Sequence, residues 1–214
     1  MPKSSGRERD GQTEARILAA ARKVFVREGT AGARKQEIAA EAGVNQALLH
    51  YYFRSKDRLA QAVFRDVAAR LFPAIISVLD SDATIEQKVE RVVQLYIDNV
   101  RKNPFLPGYI LAELHHHPDR IESFRQAAGF DPAVFKSLMT GKLRKQLRAE
   151  AAAGRMRAIS PEQFVVNLLS LSVFPFAARP MLYLALGMDD KKFDSFLNVR
   201  RRELPAFILA GLRP

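Results

Sequence analysis

The stretch from Gln36 to Leu59, QEIAAEAGVNQALLHYYFRSKDRL, constrains this chain of 214 residues more than any other. Ile38, Ala39 and Ala42 have the apolar spacing of a short helix, and Gly43 stands where a helix end needs a residue tolerant of positive φ. Beyond a turn holding Val44, Asn45 is placed to cap a second short helix with Leu48, Leu49 and Phe53 facing inward. Two short helices joined by a Gly-containing turn form the helix-turn-helix pattern, whose second helix enters the DNA major groove. The outward residues suit that task. Asn45, Gln46, His50, Tyr51 and Tyr52 offer donors, acceptors and flat faces to base edges and phosphates, and Arg54, Lys56 and Arg58 add positive charge just beyond. A packing hairpin would not ordinarily interleave so many polar groups with so few aliphatics.

Residues Thr13 to Leu59 resemble the DNA-binding domain of TetR-type transcriptional regulators. The matching elements, in order, are Val24-Phe25-Val26-Arg27-Glu28-Gly29, Glu37-Ile38-Ala39, Ala42-Gly43-Val44 and Leu49-His50-Tyr51-Tyr52-Phe53-Arg54-Ser55-Lys56-Asp57-Arg58-Leu59. The resemblance covers about a quarter of the chain. It implies an all-α homodimer with an N-terminal three-helix domain and a C-terminal helical domain for ligand binding and dimerisation. Such a protein grips operator DNA and changes that grip when a small molecule enters the second domain. Two departures stand out: Arg34 occupies the place of the usual Ser or Thr cap, and the recognition helix reads His50, Tyr51, Tyr52 in an unusual order. On this reading Asn45, Gln46, Tyr51 and Ala47 read bases, Ala47 only through a thymine methyl, while Arg34, His50, Tyr52 and Lys56 hold phosphates and Lys35 and Gln36 belong to the same face.

Charge agrees with an anionic partner. The formal net charge is +11, and residues 1–70 carry 14 Lys and Arg against 8 Asp and Glu, compared with 20 against 15 in the rest. The basic excess per residue is thus more than twofold higher in the first part, as DNA contact there requires. The absence of cysteine removes disulfides, thiolate metal sites and a cysteine nucleophile, and suits the cytoplasm. Residues 1–12 hold Lys3, Arg7 and Arg9 with no apolar run behind them; they read as a flexible arm rather than a secretory signal.

The DNA-binding domain is expected over residues 13–58 and the ligand-binding and dimerisation domain over 59–214. Helix one is expected from Thr13 to Arg27, stopped by Gly29. Ser55 should cap a long helix that Pro73 kinks or ends. Thr84 and Gln87 form a capping box for a helix to about Lys102, and Tyr109 to His116 a short helix closed by Pro118. Asp119 is expected to cap a helix to about Ala128, and Asp131-Pro132 to open one that runs to about Ala153 before Gly154. Ser160-Pro161 starts a helix apolar on nearly every side and so expected to be buried. A membrane span is the rival reading, but the uncharged run between Glu162 and Arg179 falls short of the roughly 20 residues a span needs. The last helix is expected from Asp190 to about Leu209.

The resemblance implies that the two C-terminal apolar helices pair with a second chain through Phe164, Leu168, Leu171, Phe193, Phe196, Leu197, Leu204 and Phe207. It also implies a cavity for a hydrophobic or aromatic effector, with Tyr96, Phe105, Tyr109, Phe124, Phe135, Met139 and Phe174 as candidate lining. His115-His116-His117 point about 100° apart on a helix and cannot converge on one metal ion. No cofactor is expected, and with no P-loop, GxSxG or HExxH no catalytic residues are assigned. The expected function is a sequence-specific repressor. The alternatives are a non-specific DNA binder without ligand control and an enzyme using the C-terminal pocket.

Overall fold

The computed structural model describes residues 4–127, 129 and 131–214, and among them all regular structure is helical. Helices α1 (Ser4–Gly32), α2 (Lys35–Glu41) and α3 (Gln46–Tyr52) form an N-terminal head. The long α4 (Lys56–Asp80) leaves the head and enters a second unit made with α5 (Ile85–Val100), α6 (Leu106–His116), α7 (Ile121–Ala127), α8 (Pro132–Thr140), α9 (Lys142–Ala152), α10 (Pro161–Ala177), α11 (Arg179–Leu186) and α12 (Asp190–Ala210).

Local chemistry sets most boundaries. Asn45, Ser55, Thr84, Asp131 and Ser160 each accept a backbone N–H of the following first turn, satisfying donors a helix start leaves open. Gly43, at φ 63°, closes α2: its N–H reaches Ala40 O at 3.0 Å and that of Val44 reaches Ala39 O at 3.0 Å, the two bonds of a Schellman turn.

Several expectations are corrected. Residues 4–12, expected as a loose arm, continue α1, so Thr13 lies inside a helix and is not its N-cap; Met1 to Lys3 lie outside the described residues. Gly29 (φ 68°, ψ 172°) leaves the helical conformation, so the first helical stretch ends there as expected and a short further turn carries α1 on to Gly32. α4 runs through Pro73 to Asp80. Pro73 and Ala69, one turn back, are both exposed, so the carbonyl that loses its donor faces water. Asp119 sits within a 3₁₀ turn over Pro118–Arg120 and is not a cap; Ala128, the expected helix end, lies outside the described residues. The helix expected from Pro132 to about Ala153 is broken at Gly141 into α8 and α9. α11, for which no helix is expected from sequence, follows directly on α10, and Arg179 ties it to α12 through Tyr183 and Asp190. Among the described residues no single helix is long and apolar enough to cross a membrane.

Two cores follow. The head core gathers Ile17, Val24, Phe25, Ile38, Leu49 and Leu59 with Leu106, Tyr109 and Phe124 of the second unit. The other gathers Leu71, Ile75 and Leu79 of α4 with apolar residues of α5, α8 to α10 and α12. Asp66 of α4 accepts from Arg22 of α1 and, at 2.8 Å, from Arg70, fastening α1 to α4.

Lys88 is fully buried in the second unit. Its Nζ donates to Leu79 O at 2.7 Å, at the end of α4, and to Gln146 of α9, whose amide donates to Ala83 O at 3.2 Å. Burial holds the ammonium below its ordinary 10.5, against the raising influence of Asp80 and Asp82. Between the folded and unfolded values the unfolded chain binds more protons, so stability rises as pH climbs through that window. Urea unfolding at a series of pH values approaching 10.5 from below should show that rise. Lys88→Met should flatten it; an undiminished slope would mean that other groups cause it.

Candidate nucleic-acid interface and buried cavity

α3 is held from below and open above. Leu49 is 1% exposed and Phe53 6%, both in the head core, while Gln46, Ala47, His50 and Tyr51 face solvent, Tyr51 with 74% of its surface free. Leu48, expected inward, is 37% exposed, because α3 turns only its Leu49 side fully onto α1, α2 and α4. These four exposed residues can meet base edges without moving anything beneath them.

The other interface candidates are partly engaged. The Asn45 side-chain oxygen accepts Leu48 N–H at 2.7 Å, so its carbonyl is a helix cap and only its amide nitrogen remains for a base. Tyr52 is half-buried; its hydroxyl donates to Asp10 at 2.7 Å, and that hydrogen bond, with some burial, pushes its pKa up. Lys56 Nζ donates to Ala31 O at 2.9 Å and Lys35 Nζ to Arg54 O at 2.8 Å. One ammonium therefore fastens the start of α4 to the end of α1 and the other the start of α2 to the turn after α3, contacts across 25 and 19 residues that nothing in local sequence signals. Arg34 and Gln36 are exposed; Arg34 starts α2 with no side-chain cap bond, and Glu37 accepts its N–H at 3.4 Å.

A cavity of about 190 Å³ lies at the seam between the two cores. α4 contributes Phe64, Val67, Ala68, Leu71, Phe72 and Ile75, α5 contributes Tyr96 and Val100, α6 contributes Leu106, Pro107, Ile110 and Leu111, and α10 contributes Leu169 and Val173. Of the seven lining candidates only Tyr96 is there. Phe105 packs on Phe25 of α1, with ring centroids 5.4 Å apart. Tyr109 and Phe124 belong to the head core, where Phe124 meets Phe64 at 5.2 Å; Phe135 and Met139 pack on the other core, and Phe174 is 53% exposed. The missed lining has a legible signal. Phe64, Ala68, Phe72 and Ile75 form a second apolar stripe on α4 beside the one through Leu59, Val63, Val67 and Leu71, and a helix with two stripes must meet two partners.

The expected pairing surface is also redrawn. Phe164, Leu168, Phe193, Leu197 and Leu204 are 0–4% exposed inside the chain's own core, and of these Leu204 also edges an open groove on α12. Leu171 and Phe196 are half-buried and line an open groove with Val199, Arg200, Glu203 and Leu204, beside Phe207 at 68% exposure. α10, expected to be buried on all sides, leaves Val166 59% exposed. His115, His116 and His117 are all exposed, and among the described residues no group of three or more potential ligands could hold a metal ion.

The comparisons with known proteins match this geometry. The model for bacterial regulatory proteins of the tetR family matches residues 17–63, the head and the start of α4. The chain is 35% identical over 69 residues to the nucleoid occlusion factor SlmA of Pasteurella multocida, covering 32% of this chain but only 35% of that protein. It is 29% identical over 187 residues to the HTH-type transcriptional repressor NicS of Pseudomonas putida, covering 85% of this chain and 84% of NicS. The crystal structure of HlyIIR, a hemolysin II transcriptional regulator, superposes with a TM-score of 0.59 at 23% identity, covering 95% of this chain and 98% of that one; at this identity the likeness is one of fold. The head thus matches the tetR family of bacterial regulatory proteins, in a chain that aligns with a transcriptional repressor along most of its length and shares the fold of a transcriptional regulator.

Proposed function

We propose that the chain is a homodimeric repressor that binds operator DNA in a sequence-specific way and releases it when a hydrophobic or aromatic small molecule enters the seam cavity. The observation that carries this reading is the exposure of Gln46, Ala47, His50 and Tyr51 on a helix whose Leu49 is buried, in a chain with a formal charge of +11. α4 supports the regulatory part: it begins at Ser55, directly behind α3, and one turn after another of the same helix lines the cavity. A second copy is needed because two recognition helices must sit about 34–36 Å apart to read half-sites on one face of DNA. The reading puts the protein in the cytoplasm with its DNA and gives it no catalytic role.

The test is titration against the duplex flanking its own gene and a shuffled duplex at two salt concentrations. A preference of about a thousandfold or more supports a specific regulator. Equal, steeply salt-dependent binding to both would favour the non-specific reading; the likeness to a nucleoid occlusion factor, confined to 69 residues, does not separate the two. Gln46→Ala should cost about 1–3 kcal/mol at one base pair and little elsewhere. Lys56→Ala should weaken all duplexes alike, by removing a cation from the phosphate face and freeing the Ala31 carbonyl tie. The division of roles fails if both variants change every duplex by the same factor.

A further inference from the structure

The seam cavity limits its ligand by size and by what its wall lacks. An apolar cavity of about 150 Å³ is enough to hold benzene, whereas pockets for drug-sized ligands run to roughly 300–1,000 Å³. At about 190 Å³ this one has room for a single ring with small substituents. None of its lining residues is ionisable at neutral pH, and Tyr96 alone among them carries a polar side-chain atom. A carboxylate or ammonium buried here would lose its water and gain no partner, at a cost no contact in the wall offsets. Tyr96 is 7% exposed, and burial pushes its phenol well above the ordinary range, so it remains a neutral donor. Leu111, 55% exposed while lining the cavity, marks the open side by which a ligand enters.

We propose that the cavity binds a neutral, mainly apolar molecule of about one ring carrying at most one hydrogen-bonding oxygen, with Tyr96 as the residue that selects for that oxygen. This deepens the reading of the chain as an effector-responsive regulator and rests on it. The cavity's place matters to regulation: its lining residue Leu106 is also part of the head core, and the adjoining Phe105 ring touches Phe25 of α1. A ring wedged against Leu106 therefore presses on the head directly.

The experiment is calorimetric titration of the full chain, without DNA, against ethylbenzene, acetophenone, benzoate and the four-ring steroid androstenedione. Ethylbenzene and acetophenone should bind, benzoate should bind at least about a hundredfold more weakly, and androstenedione should not bind. Tyr96→Phe should weaken acetophenone by about three- to tenfold and leave ethylbenzene within about twofold, a difference a merely structural role would not produce. Ala68→Leu on α4 and Val173→Phe on α10 fill the space from opposite walls and should each abolish binding of both neutral probes; circular dichroism melts identify whichever variant is folded. Benzoate or androstenedione binding as tightly as ethylbenzene, or no heat with either neutral probe, overturns the proposal. Because no DNA is present, these outcomes are independent of the operator titration: a chain that binds acetophenone but keeps its grip on DNA refutes the effector role and not the ligand class.

Discussion

Phe207→Asp is expected to turn the protein into a folded monomer and to lower operator affinity by about a hundredfold or more. Phe207 is 68% exposed on α12, beside a groove walled by Leu171, Phe196 and Val199, so in the single chain the ring covers nothing and an aspartate there costs the fold little. In a symmetric dimer the same patch meets itself, and a carboxylate in an apolar, self-complementary contact is left buried without a partner. Each head alone keeps its base contacts but loses the second half-site, which is where the affinity loss arises. Sedimentation and duplex titration on the same preparation decide the matter. A variant that stays dimeric at full affinity would move the interface elsewhere, and the exposed apolar side chains of α11, Met181, Leu184 and Leu186, are then the next surface to change.

Phe25→Ala is expected to destabilise the chain by about 3–5 kcal/mol, the usual cost of emptying a buried phenylalanine site. Phe25 is wholly buried where α1 meets the rest of the head, and its ring packs on Phe105 at the entrance to α6. The truncation leaves a void that cannot collapse from one side only, because the head core and the second unit both contribute to its walls. Urea unfolding measures the loss. A cost below about 1 kcal/mol would mean that the head relaxes around the gap. At temperatures where the variant is still folded, its operator complex should respond less to a cavity ligand than the parent does, since Phe25–Phe105 is a direct contact between α1 and the elements lining the cavity.

Much of this architecture was legible in the residues themselves. Caps at Asn45, Ser55, Thr84, Asp131 and Ser160 and the positive-φ turn at Gly43 are local: each needs only a side chain or a missing Cβ within a few residues of the backbone it serves. The recognition helix was readable for the same reason, since a seven-residue helix has one side to bury and Leu49 defines it. Breaks were less legible. A proline inside a helix is decided by whether the orphaned carbonyl meets water, which at Ala69 depends on what packs around α4.

Tertiary structure alone decided how the apolar residues were divided. Phe164, Leu168, Phe193, Leu197 and Phe207 all look alike in sequence as members of two apolar helices, yet four are consumed by their own chain and one is left exposed. Tyr96, Tyr109, Phe124 and Met139 share a composition that suits a pocket, but a void forms only where packed helices fail to meet, here between the two stripes of α4. Lys35 and Lys56 carry the same charge as any DNA-facing cation, and each also ties a carbonyl far away in sequence. Periodicity and capping act over one or two helical turns and are written in order along the chain; burial, cavities and the partners of charges depend on residues far apart in sequence.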